Sequence, residues 1–214
     1  MRLAKLGHSC LLVEAHGARI LIDPGVWSDI PDTLMQERLD AILITHQHPD
    51  HVDPEAVRRI IAVHPEIAIH GSAEIVATLQ EAGIEARDHG FENFEVAGTA
   101  IEVLEAGHEA VLGDAVQNAA YRIGGELAIT GDSLAVSLDA WHGTRALALV
   151  TAAPWAAEPG LARMVDRLAP EVVVPVHDGY LTDGFRKRST ERFARHADER
   201  GARLIDLGPA LQEL

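Results

Sequence analysis

Short apolar runs separated by turn residues dominate the first half of the chain. Arg2 to Leu6, Cys10 to Glu14 and Arg19 to Ile22 read as three strands, the last two joined across His16-Gly17. Together they predict an antiparallel meander that feeds Asp23-Pro24-Gly25. Ala41-Ile42-Leu43-Ile44 carries no polar position, the pattern of a strand buried on both faces in a parallel part of a sheet. Asp53-Pro54-Glu55 then supplies an N-cap, a first-turn proline and a first-turn acid, so a helix is predicted from Asp53 to Val63. His64-Pro65 stops it, because the residue before a proline is pushed out of helical geometry. A strand over Ile67 to His70, a helix over Ser72 to Glu81 capped by Gly83, and a short strand over Ile84 to Ala86 follow. Positions 26 to 37 have no clear period and read as a loop holding Trp27.

The second half repeats the alternation. Phe94 to Val96 and Ala100 to Leu104 form one expected hairpin; Ala119 to Ile123 and Glu126 to Thr130 form another across Gly124-Gly125. Ala146 to Thr151 and Glu171 to Val176 are buried strands around a helix over Glu158 to Leu168. A charged helix around Phe185 to Arg200 and a closing strand over Arg203 to Asp206 complete the pattern. No linker, low-complexity tract or short-period repeat interrupts it, so one domain over residues 1–214 is expected.

Composition narrows the function classes. At 214 residues and 47% hydrophobic, the chain can bury a full core. The net charge of −15 disfavours promiscuous binding to nucleic acid or to anionic membranes. Cys10 is the one cysteine, which excludes an intramolecular disulfide and a thiolate cluster; in its apolar context it reads as a small core residue. The longest uncharged run, 146 to 157, is too short to span a bilayer, and the first residues lack the apolar region of an export signal. A cytoplasmic protein acting on a small molecule is the expectation.

The chemistry concentrates after the all-apolar strand, in Thr45-His46-Gln47-His48-Pro49-Asp50-His51. Side chains two apart on an extended chain point the same way, so His46 and His48 can converge on one ion. Pro49 turns the chain so that Asp50 and His51 face a second point close by. With 12 histidines in the chain, three His and one Asp at this spacing are expected about 0.003 times by chance. Crowded imidazoles without a cation would also repel one another when protonated. We therefore read the cluster as the core of a metal site.

The His-x-His-x-Asp-His signature on a strand-to-helix loop resembles the metallo-β-lactamase superfamily. The resemblance implies an α/β fold, an αββα sandwich of two mixed sheets flanked by helices, with the metal site along one edge. It also demands an isolated His, an Asp and another His at later strand ends, and His108, Asp132 and His177 stand at such positions. By that resemblance His46, His48 and His108 would hold one metal ion. Asp50, His51 and His177 would hold a second, Asp132 would bridge the two, and Asp23 would brace the loop from behind. Imidazole and carboxylate suit Zn²⁺ and also admit Mn²⁺, Fe²⁺, Co²⁺ or Ni²⁺.

Two cations sharing a water lower its pKa from about 15.7 to about 7, so a bridging hydroxide is the expected nucleophile. Tyr180, shortly after His177, and His8, in the Gly7-His8-Ser9 turn, are the candidate proton donors to the leaving group. The short form opening on Gly7-His8-Ser9 and Leu21-Ile22-Asp23-Pro24 is most similar to the metal-dependent hydrolases grouped with the ascorbate-6-phosphate lactonase. The implied activity is hydrolysis of an ester-type bond, with a lactone preferred. A phosphodiesterase of the same superfamily and an iron-bound redox or oxygen-handling protein are the alternatives.

Overall fold

A computed structural model describes residues 1–113 and 115–214. The chain opens with β1 (Arg2–Lys5), β2 (Leu11–Ala15) and β3 (Ala18–Ile22), the antiparallel meander expected from the sequence. A short helix α1 (Asp32–Met35) precedes β4 (Ala41–Leu43), which lies parallel to β3. Next come α2 (Pro54–Val63), β5 (Ala68–Gly71), α3 (Ala73–Glu81) and β6 (Arg87–Asp88), with β5 and β6 extending the parallel part. The second half holds β7 (Phe94–Val96), β8 (Thr99–Glu105), β9 (Ala119–Ile123), β10 (Leu127–Ile129) and a 3-10 turn over Val136–Trp141. It closes with β11 (Ala146–Val150), α4 (Glu158–Leu168), β12 (Val172–Val176), α5 (Asp183–Asp198), β13 (Arg203–Leu204) and β14 (Gln212–Glu213).

Among the described residues these strands form two seven-stranded mixed sheets. One runs β14-β1-β2-β3-β4-β5-β6 and the other β13-β12-β11-β10-β9-β8-β7. Side-chain alternation explains how they stack. Leu11, Val13, Ile20, Ile22, Ala41 and Leu43 point from the first sheet into a core shared with the second sheet. Their neighbours Leu12, Leu21, Ile42 and Ile44 point the other way, onto Val57, Ile60, Ile75 and Leu79 of α2 and α3. Both faces of the inner strands are therefore covered, which is why they read as unbroken apolar runs. Helices α4 and α5 cover the outer face of the second sheet through Leu161, Met164, Val165 and Phe193. The result is the expected αββα sandwich.

The differences from the sequence reading are local. The strand expected at Ile84 to Ala86 forms instead at Arg87–Asp88, because the amides of Gly83 and Ile84 bond back to Gln80 and Leu79 and close α3. α1, the 3-10 turn and β14 carry too few residues to show a period. Helix α2 is capped as expected, with the Asp53 carboxylate accepting from the Glu55 amide at 3.0 Å. No helix among the described residues is long and apolar enough to cross a membrane.

Candidate metal centre

Five loops bring the candidate residues to one edge of the sandwich. The turn after β1 carries His8, the loop after β4 carries residues 45–51, and β8, β10 and β12 lead into His108, Asp132 and His177. The last three and the β4 loop sit at the carboxyl ends of strands, where mixed α/β sheets commonly place their sites. The seven residues singled out as candidate ligands meet there. Ligand atoms of His46, His48 and His108 lie within 4.8 Å of one another, as do those of His46, His51 and Asp132, and those of His8, Asp50 and His177.

Hydrogen bonding behind the rings decides which nitrogen faces inward. His51 donates through Nδ1 to Asp23 Oδ2 at 2.8 Å. His108 donates through Nδ1 to the Glu109 carbonyl at 2.5 Å, and His177 through Nδ1 to the Ala152 carbonyl at 2.6 Å. Thr45 Oγ1 gives its proton to Asp23 Oδ2 at 2.7 Å and can accept from His46 Nδ1 at 3.1 Å. With Nδ1 engaged behind them, these four rings leave Nε2 as the atom turned toward the centre, the arrangement that outer partners impose on metal-binding imidazoles. Asp23 is the expected brace: its other oxygen accepts the Thr45 amide at 2.7 Å, and it adopts φ of 46° to reach both.

His8 is oriented the opposite way. Its Nδ1 accepts the Gly179 amide at 2.9 Å, so the neutral ring carries its proton on Nε2, which lies 3.3 Å from Asp50 Oδ2. Burial favours that neutral ring by lowering the His8 pKa. Proximity thus places His8 beside Asp50 and His177, but its tautomer makes it a donor rather than a ligand. Gly179 fits this contact because any Cβ there would come within 2.9 Å of His8 Cβ.

Asp132 is fixed from two directions. Its amide donates to Asn118 Oδ1 at 3.1 Å, while the Asn118 amide group bonds the carbonyls of Ala106 and Thr130, linking the ends of β8 and β10. Trp155 donates Nε1–H to Asp132 Oδ2 at 2.9 Å. His177 holds a left-handed φ of 63°, a strained conformation for a non-glycine residue at a strand end. Behind it, Lys5 and Asp178 form a buried ion pair at 2.6 Å.

Electrostatics and unmet lone pairs both call for positive charge at the centre. Among the described residues His108 Nε2, His177 Nε2 and Asp132 Oδ1 are buried without hydrogen-bond partners, and His46 Nε2 faces His48 Nδ1 at 3.1 Å. Burial opposes ionisation of Asp50 and Asp132. The surrounding histidines outweigh it and hold both carboxyls below their usual range. Burial likewise opposes a charged His51, yet Asp23 and Asp132 push its pKa up to about 10. For His177 the same balance, with Asp132 and Asp50, gives about 9. A field that draws protons onto two buried imidazoles suits divalent cations, and the hard and borderline N and O donors fit them.

Tyr180 stands at the rim, its ring centre 5.4 Å from that of His8. Burial and then the nearby Asp132 and Asp50 charges push its pKa up to about 12, so the phenol keeps its proton. Trp27 lies on the same side, 49% exposed and 5.9 Å from the Tyr180 ring. Sequence reasoning passed over Thr45, Asn118 and Trp155. Trp155 had a signal: it follows β11, whose carboxyl end faces the same edge as β12.

An αββα sandwich with a histidine-rich cluster at the carboxyl ends of its strands is the architecture of the metallo-β-lactamase class. The chain belongs to that superfamily: the profile described as the beta-lactamase superfamily domain matches residues 2–177. The UPF0173 protein of Pyrococcus abyssi is 30% identical over 98% of this chain and 97% of its own length. Protein Rv0786c of Mycobacterium tuberculosis is 28% identical over 87% of this chain and 88% of its own. Among solved structures, Igni18, a metallo hydrolase from Ignicoccus hospitalis, superposes with a TM-score of 0.77 at 21% identity. That match covers 100% of this chain and 98% of the other.

Proposed function

We propose that this metal-dependent hydrolase of the metallo-β-lactamase superfamily uses a binuclear centre, zinc by preference, to cleave an ester-type bond, with a lactone preferred. His46, His48 and His108 would hold one ion; Asp50, His51 and His177 a second; Asp132 would lie between them. The observation that carries the reading is the convergence of imidazole and carboxylate ligand atoms drawn from residues 46 to 177, with inward atoms of His108, Asp132 and His177 left without hydrogen-bond partners among the described residues. Residues 1–214 would act as one catalytic unit on a small molecule.

Bound divalent ions would polarise the substrate oxygen and lower the pKa of water from about 15.7 to about 7. The protein's own groups do the rest. Asp23, Thr45 and the carbonyls behind His108 and His177 keep each Nε2 aimed inward. Water adds to the carbonyl carbon, the bond to the alkoxide oxygen breaks, and that oxygen takes up a proton. His8 Nε2–H, buried beside Asp50, and the Tyr180 hydroxyl at the rim are the two candidate donors, and either can supply or steer that proton.

Metal content of protein purified without added metal, measured with a lactone and phosphodiester panel, tests the reading. Two equivalents of zinc with lactone turnover are expected. Asp132→Ala should remove activity and lower the occupancy of at least one metal; full activity in that variant would refute the assignment. Phosphodiester turnover without lactone turnover would move the substrate class.

A further inference from the structure

The cluster opens into a cavity of about 940 Å³, large enough for a small-molecule substrate and lined mainly by apolar side chains. Trp27, Leu112, Trp155, Leu161, Leu181 and Phe185 form its wall. Three of these lining residues stay exposed, Trp27 at 49%, Phe185 at 53% and Leu112 fully. Large apolar side chains left uncovered around a cleft that ends on a reactive centre mark a binding surface rather than a packing defect.

Charge on the wall points the same way. Beyond the candidate metal residues, the described lining residues include one anion, Glu158, and one cation, Arg192, and these two are paired with each other. Ser189 Oγ also donates to Glu158 at 3.2 Å. Arg186 lies outside this lining and faces Asp206 at 3.9 Å. Among the described lining residues no unpaired cation is left to recognise a phosphate or a second carboxylate on the substrate.

We infer that the site takes an uncharged ester or lactone carrying an apolar alkyl or aryl arm, with that arm lying along the Trp27, Trp155 and Phe185 wall. The reacting group in this inference rests on the hydrolytic reading above; the apolar arm rests on the wall alone.

Two measurements separate them. In metal-free protein, the uncharged fluorophore N-phenyl-1-naphthylamine should bind with enhanced emission. γ-Dodecalactone should displace it and γ-butyrolactone should not. In metal-loaded protein, kcat/KM across γ-alkyl lactones should rise about two- to fourfold per added methylene until the wall is covered. Phe185→Ser, at a solvent-facing position, should fold normally, weaken the fluorophore and flatten that rise; Trp27→Ser should do the same. Absence of fluorophore binding together with a flat series, or a preference for 6-phosphogluconolactone over the alkyl lactones, would overturn the inference while leaving hydrolysis standing. Displacement that depends on chain length without turnover of any ester or lactone would support the apolar site and refute the hydrolytic reading.

Discussion

Replacing Asp23 with asparagine tests the arrangement behind the metal loop with a minimal change in shape. Asp23 is 2% exposed and accepts three hydrogen bonds, from the Thr45 amide and hydroxyl at 2.7 Å each and from His51 Nδ1 at 2.8 Å. Asparagine tolerates the left-handed backbone at this position, so strain does not confound the result. It has one accepting oxygen where the carboxylate had two. If that oxygen keeps the Thr45 amide, the new NH₂ group faces His51 Nδ1. His51 must then give up its Nδ1 proton and hold one on Nε2, the atom that points at Asp132.

Two consequences can be sized. Charge-assisted bonds worth about 1.5–3 kcal/mol each become neutral bonds of about 0.5–1.5 kcal/mol; over three bonds that is about 3–4 kcal/mol, and the lower cost of burying a neutral amide than a carboxylate returns part of it, so the metal-free protein should lose about 2 kcal/mol. For a chain of this length that is about 4–8 °C in Tm. The wrong His51 tautomer should weaken metal binding about 10- to 100-fold, the usual effect of losing an outer partner. Chelator competition for zinc, with calorimetry of the metal-free protein, reads both quantities. Zinc affinity within twofold of the parent and an unchanged Tm would refute the tautomer argument.

Three further outcomes are expected. Gly25→Ala would place a Cβ 2.1 Å from the carbonyl carbon and oxygen of Asp50, so the loop must shift and zinc affinity should fall at least about tenfold; Gly184→Ala, with open space around it, should bind zinc normally. Lys5→Met leaves Asp178 buried without its partner and should cost about 3–5 kcal/mol in urea denaturation, whereas Lys5→Met combined with Asp178→Asn should recover much of it. Burial, followed by the charges of Arg87 and His89, lowers the His70 pKa from 6.5 to about 4. The unfolded chain therefore takes up that proton first as pH falls. Stability contributed by neutral His70 is complete above pH 6.5 and is lost between there and about pH 4. His70→Phe should flatten the urea midpoint over that window relative to the parent, and an identical slope in both proteins would exclude His70 as the source.

The sequence by itself determined what is written in short-range pattern. Unbroken apolar runs fixed the strands buried on both faces. The i, i+2 spacing of His46 and His48 fixed their common direction, and capping chemistry fixed the start of α2 at Asp53. Order along the chain also placed His108, Asp132 and His177 at strand ends, since a strand's limits are visible in its own residues. What each side chain does there depended on neighbours far away in sequence. The proton on His8 is assigned by the amide of Gly179, that on His51 by Asp23, and the orientation of Asp132 by Asn118 and Trp155. The apolar wall joins Trp27 to Phe185 across both sheets. Such contacts arise only when separate strands pack side by side. Hydrogen-bond direction and cavity shape are properties of that packing, and local periodicity carries no record of them.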